Sequence, residues 1–320
     1  MKGSILTVGD STVDHFLRVE DSEASLLCKV SKKDCEICLN YGEKIPVRDS
    51  SDSFGGSALN CAIGFQVLGL KSSIATFVGK DVEGKGIIDH LKMNNIDTTA
   101  VLTDEVTNQA TVILYKDERT ILSYHRPRNY DELVLPDSDW IYLASAGRGC
   151  DKLKSEVLKK VEEGANLIFN PGSWELKNFE KFRSIIQRCA IVILNRDEAR
   201  LVIENTHDIK KQLANIIKLG AKIAVITDGA GGAYISFLGN YFHQNSLAVD
   251  VVDCTGAGDA FAVGFCGGLI SGKSIEDSAK WGIINSSSVI ESVGANFGLL
   301  SIEDIEKKIQ LFKALKFEKI

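Results

Sequence analysis

A nine-residue segment near the C-terminal end combines residue types that suit phosphoryl-transfer chemistry. It reads DCTGAGDAF from Asp253 to Phe261 and opens an apolar stretch predicted to be a helix to about Ile270. The first N–H groups of a helix lack intrahelical acceptors, and glycine lets an anion approach them closely. Because the aligned peptide dipoles place partial positive charge there, we expect Gly256, Ala257 and Gly258 to bind a phosphate group.

Asp259 lies directly behind this predicted anion site, and Thr255 is predicted to cap the helix. A carboxylate beside a bound phosphate is repelled by it. Its presence is explained if it takes the proton of an attacking hydroxyl or helps to hold a metal ion. The alternative is a capped helix whose aspartate only stabilises the helix dipole.

The composition is that of an ordinary globular protein. The 320 residues are 44% hydrophobic and 25% charged, with a formal net charge of −6. This excludes a disordered chain, and without a basic stripe we expect no nucleic-acid partner. The N-terminus lacks the apolar region of a signal peptide, and the longest apolar stretch (260–270) is too short for a bilayer. We therefore expect a cytoplasmic protein with no membrane partner.

Short apolar runs alternate with amphipathic helical patterns along the chain. The predicted strands are Ile5 to Val8, Ser73 to Val78, Trp140 to Leu143, Asn166 to Phe169, Ile191 to Leu194 and Ala224 to Thr227. Apolar strands separated by helices indicate a mainly parallel sheet that is covered on both faces. Two β-rich insertions, at about 12–50 and 98–126, break this alternation and predict a small β-sheet lid. We expect one domain spanning residues 1–320.

The eight cysteines are predicted to be mostly reduced and buried. Cys28, Cys35 and Cys38 are the dense group, and the last two form a CxxC pair. Because structural zinc sites need four ligands, packing in strands or at an interface is favoured over a metal site.

Three other motifs each have a functional and a structural interpretation. Gly55 and Gly56 precede a helix and either approach a ligand or form a plain turn. Asn195 and Glu198 either present oxygens to magnesium or cap a helix. The glycines of 227–232 either cover a nucleotide or form a tight turn. The chain has no P-loop motif and no GxGxxG after its first strand, which argues against a dinucleotide-dependent oxidoreductase.

Taken together and in this order, the motifs resemble those of the ribokinase-like, or PfkB, family of sugar and nucleoside kinases. The family signature DTxGAGD appears as DCTGAGD at 253–259, with Cys254 replacing threonine. Gly55, Gly56 and Asn60 resemble the family's N-terminal GG pattern, and residues 79–84 resemble its VGxDxxG element. Residues 195–198 resemble the family's NxxE motif, and residues 227–232 resemble its TxGxxG turn. The resemblance covers essentially the whole chain. It implies a Rossmann-like three-layer α/β/α core with a mainly parallel central sheet and a small lid.

The resemblance also implies a role for each matching residue. Asp259 would be the general base that deprotonates a hydroxyl attacking the γ-phosphate of ATP, and residues 256–258 would form the anion hole. Substrate hydroxyls would be bound by Asp14, Gly55, Gly56 and Asn60. ATP would be bound by Asn195, Thr227, Gly229, Gly232, Gly258 and Asn285. Asn195 and Glu198 would hold Mg²⁺ through water, and the loop of Asp253 would bind an activating K⁺.

The expected acceptor is a hexose, a pentose or a related sugar acid. A nucleoside is the alternative, and a catalytically silent nucleotide-binding regulator is a weaker one. Ser57 stands where ribokinases usually carry lysine, which argues against ribose. Arg126, Arg128 and Arg148 either recognise a phosphate on the acceptor or are simply solvated. Because the two β insertions are expected to project from the core, we expect a homodimer formed through the lid.

Overall fold

The computed structural model describes residues 3–28, 35–116, 118–203, 206–312 and 314–320. The strands are β1 (Ser4–Val8), β2 (Thr12–Val19), β3 (Ala24–Cys28), β4 (Cys35–Leu39), β5 (Val47–Gly55), β6 (Lys71–Gly79), β7 (Asp97–Asp104), β8 (Asn108–Tyr115), β9 (Glu118–Tyr124), β10 (Trp140–Leu143), β11 (Asn166–Phe169), β12 (Cys189–Asn195), β13 (Ile223–Thr227), β14 (Ala233–Phe237), β15 (Asn240–Gln244) and β16 (Phe317–Lys319). The helices are α1 (Ser57–Val67), α2 (Val82–Met93), α3 (Asp151–Glu162), α4 (Ser173–Lys177), α5 (Arg183–Ile186), α6 (Arg196–Val202), α7 (Ile209–Lys218), α8 (Ala257–Ile270), α9 (Ile275–Val289) and α10 (Ile302–Leu311), with short 3₁₀ turns at Phe179–Phe182 and Gly229–Gly231.

A ten-stranded sheet forms the centre of the described structure. Its order is β16-β15-β14-β13-β12-β11-β10-β1-β6-β7. The seven strands β13, β12, β11, β10, β1, β6 and β7, in sheet order, run parallel to one another. β14, β15 and β16 each pair antiparallel with their neighbours. The carboxyl ends of the parallel strands therefore meet along one edge, which is where ligands bind in sheets of this kind.

Each face of the central sheet carries its own apolar layer. Along β12, Ile191 and Ile193 pack with α1, α8 and α9, while Val192 and Leu194 pack on the opposite face with α3 and α7. Side chains alternate between the faces of a strand, so a strand covered on both sides must be apolar throughout. This confirms the predicted α/β/α arrangement with a mainly parallel sheet.

The lid consists of a four-stranded sheet of order β5-β2-β8-β9 and the separate two-stranded hairpin of β3 and β4, which lies between β2 and β5 in the chain. β2 pairs antiparallel with β5 and parallel with β8, so the two insertions meet in one sheet. The predicted hairpin of 110–115 and 120–124 is present as β8 and β9. Its turn residue Asp117 lies outside the described residues.

Two details of the predicted lid are corrected. Residues 97–104 form β7, which pairs with β6 at the edge of the central sheet, so the second insertion contributes to the lid only from Asn108. Cys28 and Cys35 face each other across the β3–β4 hairpin and form a disulfide, so these two cysteines are not reduced. Cys38 is free and exposed, and within the described residues no cluster of potential metal ligands is present.

Helix α8 starts where the sequence predicts but with a different cap. Gly256 is the N-cap residue, in the left-handed conformation with φ 78°, and no side chain caps the helix. Thr255 instead donates its hydroxyl to Asp253 Oδ1 at 2.6 Å. The left-handed conformation explains why glycine is required at 256. None of the helices among the described residues is both long and apolar enough to cross a membrane.

Candidate active site

The N-terminus of α8 opens into a cavity of about 250 Å³ at the carboxyl edge of the central sheet. The cavity is lined by Ser57, Arg119, Ser145, Asn170, Pro171, Gly172, Ser173, Ile193, Leu194, Asn195, Glu198, Thr227, Cys254, Gly256, Ala257, Gly258 and Asp259. A Cβ atom added to Gly258 would meet no protein atom within 4 Å. The space in front of this helix end is therefore open to a ligand, and the dipole favours an anion there.

Residues 253–258 comprise the loop that leads into α8 and the first two residues of that helix, and are here called the anion loop. It differs from the prediction at the amide of Ala257. The N–H of Ala257 lies 3.3 Å from the Cys254 carbonyl oxygen, a long hydrogen bond, rather than being unpaired. The backbone of Gly256 packs closely against Ala295, since a Cβ atom at 256 would lie only 2.6 Å from the Cα of Ala295. The loop that presents the amides is thus held against the segment around Ala295.

Asp259 lies in the first turn of α8 and is held by α1. Asn60 donates its Nδ2 hydrogen to Asp259 Oδ2 at 2.8 Å. Burial raises the pKa of the Asp259 carboxyl above its ordinary value, while hydrogen bonds from Asn60 and Ser57 act in the opposite direction. A buried carboxylate with a raised proton affinity, aimed at an anion site, is suited to removing a proton from a bound hydroxyl.

The predicted substrate-binding residues lie together beside Asp259. Asp14 on β2 accepts a hydrogen bond from Thr12 Oγ1 at 2.8 Å, and its carboxylate packs against Gly55, where a Cβ would lie 2.2 Å from Asp14 Oδ2. Gly56 caps α1 with φ 97°. The Oδ1 atom of Asn60 is buried with no hydrogen-bond partner among the described residues. An unpaired buried acceptor of this kind is satisfied by a ligand or by water.

On the opposite side of the cavity, Asn195 and Glu198 form a capping box. Asn195 Oδ1 accepts from the N–H groups of Asp197 (3.0 Å) and Glu198 (2.9 Å), and Glu198 Oε2 accepts from Asn195 N at 2.8 Å. Burial raises the pKa of Glu198, and the charge of Asp259 adds to this rise. Asn195 and Glu198 therefore do cap the helix, as the structural interpretation predicts. The same hydrogen bonds fix their two oxygen-bearing side chains at the cavity wall.

The glycine turn after β13 borders the same side. Thr227 ends β13 and lines the cavity, followed by Gly229 and Gly232, which have φ 50° and 84°. Asp228 in this turn forms an ion pair with Arg196 of α6. The turn is therefore tied to the helix that carries Glu198.

Two predicted site residues have structural contacts. Asn285 is fully buried, donates to the Ala260 carbonyl at 2.8 Å and accepts from Leu300 N at 3.0 Å, so it joins α9 to α8. Its contact with a nucleotide stays a prediction. Asp253 accepts from Thr255 through Oδ1 and from Gly294 N through Oδ2 at 3.0 Å, which fixes the anion loop.

The lid arginines differ in whether their side chains are free to contact a ligand in the cavity. Arg128 is buried, forms an ion pair with Asp104 and donates hydrogen bonds to the Val106 carbonyl oxygen and Asn108 Oδ1. Arg126 pairs with Glu105. These contacts favour a structural role for both. Arg119 on β9 lines the cavity instead and donates to the Cys254 carbonyl at 3.4 Å. Its Nε is buried without a partner within the described part of the chain.

Sequence reasoning missed three residues near this site: Arg119, Glu175 and Asp10. Glu175 on α4 is buried and accepts from the N–H groups of Ala146 and Gly147, both at 2.9 Å. Arg119 and Glu175 contact residues that are far away in the sequence, so the sequence pattern does not reveal these contacts. Asp10 follows the first strand, a position at the carboxyl edge that would have been a usable signal.

Comparison with known proteins gives one consistent result. Residues 22–302 match the model of the pfkB family carbohydrate kinases. The chain is 29% identical over 297 residues to an ATP-dependent 6-phosphofructokinase of Thermoanaerobacterium thermosaccharolyticum, covering 87% of this chain and 91% of that protein. It is 26% identical over 280 residues to a 5-dehydro-2-deoxygluconokinase of Bacillus subtilis, covering 80% and 86%.

The fold is similar to that of the crystal structure of Methanocaldococcus jannaschii nucleoside kinase, with a TM-score of 0.78 at 21% identity over 97% of this chain and 99% of that chain. The family model spans most of the 320 residues, and the anion loop, the buried carboxylate and the lid lie together in the structure. The chain therefore belongs to the PfkB family of carbohydrate kinases and is a phosphotransferase.

Proposed function

We propose that this chain transfers the γ-phosphate of ATP to a hydroxyl group of a small sugar, with Asp259 as the general base. One observation carries the proposal. Asp259 is held by Asn60 directly behind the open N-terminus of α8, in the cavity that Glu198 and Thr227 also line. That arrangement places a proton acceptor, an anion site and the nucleotide-side residues around one space.

The proposed chemistry depends mainly on position and charge. The ionised Asp259 accepts the proton of the acceptor hydroxyl as its oxygen attacks phosphorus. The amides of residues 256–258 would stabilise the negative charge spread over the phosphoryl oxygens, with the Ala257 N–H shared between the phosphoryl group and the Cys254 carbonyl oxygen. Arg119 brings a further positive charge from the lid to the same cavity. When the lid closes, it excludes water that would otherwise compete with the acceptor.

Magnesium fits the nucleotide side of the cavity, where Asn195 and Glu198 would hold it through water. Both offer oxygen atoms, which Mg²⁺ prefers, and the negative charges of Glu198 and Asp259 face one another there. When bound, the ion would neutralise charge on the phosphates. Asp253 would take part in the proposed K⁺ site, because its oxygens accept hydrogen bonds from Thr255 and Gly294 and still keep lone pairs for a cation.

The acceptor class is inferred from the relatives. The two curated proteins above are named for a phosphofructokinase and a dehydro-deoxygluconokinase, and neither is named for a nucleoside. A sugar or sugar acid is therefore favoured over a nucleoside as acceptor. The likeness to a nucleoside kinase concerns the fold alone.

A coupled ADP-release assay with Mg-ATP tests the function against pentoses, hexoses, their monophosphates, sugar acids and nucleosides. We expect turnover that depends on one acceptor class. Asp259→Asn should lower kcat by ~10² or more with nucleotide affinity nearly unchanged, since it keeps the shape but removes the base. Asp89→Asn, at an exposed position of α2, is the matched control and should keep the wild-type rate.

Two outcomes would contradict the proposal. A near-normal rate in Asp259→Asn would remove Asp259 as the base. Silence across the panel, with ATP still bound, would favour a catalytically silent nucleotide-binding regulator.

A further inference from the structure

Asp10 occupies a fixed position between the central sheet and the lid. It follows β1, and its N–H donates to the Ser145 carbonyl oxygen at 2.7 Å. The preceding Gly9 has φ 151°, and a Cβ there would lie 2.5 Å from the same carbonyl oxygen. The backbone at Asp10 is therefore clamped to the loop after β10, so its side chain has little freedom to move away.

The side chain of Asp10 is buried but poorly satisfied. It is only 10% exposed, and its Oδ1 is buried with no hydrogen-bond partner in the described ranges. Its Oδ2 lies 3.6 Å from Nδ1 of His125, in the segment that follows β9 of the lid. A buried carboxyl oxygen without a donor is costly, unless the group carries a proton or a ligand binds it.

The charged groups that face Asp10 are mostly acidic. Burial, followed by the charges of Glu175 on α4, Asp259 on α8 and Asp14 on β2, raises the pKa of Asp10 to about 8. Burial and the nearby Arg128 lower the pKa of His125, so the imidazole facing Asp10 is neutral at pH 7. Nothing among these groups stabilises an ionised Asp10.

Building on the proposed function, we propose that Asp10 binds the acceptor as a neutral carboxylic acid, donating its O–H to an uncharged oxygen of the sugar. Asp14, in contrast, accepts a hydrogen bond from a sugar hydroxyl. The part of the acceptor between these two residues is therefore an uncharged hydroxyl or carbonyl group. A carboxylate or phosphate there would face Asp14, Asp259 and Glu175 and be repelled.

The test compares Asp10→Asn with Asp10→Ala, measuring KM for the acceptor, KM for ATP and kcat from about pH 6 to about pH 9. The asparagine side chain is neutral and can still donate, so acceptor KM at pH 7 should stay within about threefold of wild type. Asp10→Ala should raise acceptor KM ~10-fold or more and leave ATP KM unchanged. In wild type, acceptor KM should rise above about pH 8 as Asp10 ionises, and Asp10→Asn should abolish that rise.

Asp137→Asn makes the same chemical change at a surface position paired with Lys160 and should change none of these values. An Asp10→Asn variant as impaired as Asp10→Ala would overturn the proposal, because it would mean that the carboxylate is needed. An unchanged acceptor KM in Asp10→Ala would also overturn it.

A second readout does not depend on activity. The infrared spectrum of the wild type at pH 7, minus that of Asp10→Asn, should show the C=O band of a protonated carboxylic acid. Absence of that band would overturn the proposal even if no acceptor in the panel were phosphorylated. Failure of the proposed function, in contrast, would appear as silence of the wild-type enzyme with the band present.

Discussion

At the scale of the residue, the proposed role of Asp259 as general base requires a buried carboxyl group to stay ionised. Burial favours its protonated form, and the hydrogen bond from Asn60 opposes this by stabilising the carboxylate. Asn60 thus has a proposed second role besides binding the acceptor, since it keeps the base ready at neutral pH. These two roles can be separated by the pH dependence of the rate.

We expect Asn60→Ala to move the acid limb of the pH profile of kcat/KM upward by about one unit. Losing a donor to the carboxylate raises the pKa of Asp259, and the base works only when deprotonated, so activity is lost at a higher pH than in wild type. Asn178→Ala, which removes an amide that bonds only the Trp174 carbonyl in the described structure, is the control. A higher acceptor KM with an unmoved acid limb would leave Asn60 with the binding role alone.

At the scale of the element, the start of α8 uses two glycines for different reasons. Gly256 is required by its left-handed backbone and by the contact with Ala295, whereas Gly258 has open space where a side chain would project. The first is a requirement of folding. The second we propose to be a requirement of the bound phosphate group.

Gly256→Ala should therefore lower the melting temperature, by a destabilisation of at least ~1 kcal/mol, together with activity. Gly258→Ala should keep the melting temperature but lower kcat at least ~10-fold, because its methyl group lies where the phosphoryl group must fit. Thermal unfolding and ADP-release assays on the two variants measure this contrast. Loss of stability in Gly258→Ala would contradict the assignment of that space to the ligand.

Elements of the core were readable from the sequence wherever burial decides the residue type. The apolar runs at Trp140–Leu143 and Asn166–Phe169 have the predicted bounds, because strands buried on both faces must be apolar throughout. β7 was assigned to the lid because it lies in the β-rich stretch 98–126 that breaks the alternation of strands and helices. Such a strand fits either the edge of the central sheet or the lid, and sequence pattern alone does not reveal its partner.

The candidate site was predictable to a similar degree. Residues within one motif, such as 256–259, were found because local spacing reports local geometry. The contacts of Asp10 with His125, and the pairing of Cys28 with Cys35 instead of a metal, depend on which strands meet. The role of Asn285 at the nucleotide stays a prediction, and its contacts with α8 and Leu300 could not be read from the sequence.

At the scale of the whole molecule, the lid lacks the helical layers that cover the central sheet. Exposed apolar side chains occur on its strands, including Leu26, Leu27, Leu39, Ile121 and Leu122. Because consecutive residues of a strand point to opposite faces, Leu26 and Leu27, like Ile121 and Leu122, leave apolar surface on both faces of the lid available to a partner. It supports the expectation that two copies of the chain associate through their lids.

We expect the wild-type protein to be a dimer by light scattering after size-exclusion chromatography. Leu122→Asp should shift it toward the monomer, because a charge at the centre of an apolar contact must lose its hydration. Leu238→Asp is the control, since Leu238 is 78% exposed in the β14–β15 turn, outside the lid. A monomeric wild type, or an unaffected dimer in Leu122→Asp, would contradict a lid-mediated dimer.

The close packing of α1 on α8 has a consequence for how enzymes of this design diversify. A Cβ on Gly64 of α1 would lie 2.7 Å from the side chain of Val263 of α8, so the helices that carry Asn60 and Asp259 have almost no room to shift. The lid strands β2 and β5, by contrast, carry the proposed acceptor contacts of Asp14 and Gly55. Mutations in the lid can therefore change the proposed acceptor contacts without moving the proposed proton-transfer centre, which makes the lid the first target for directed evolution of specificity.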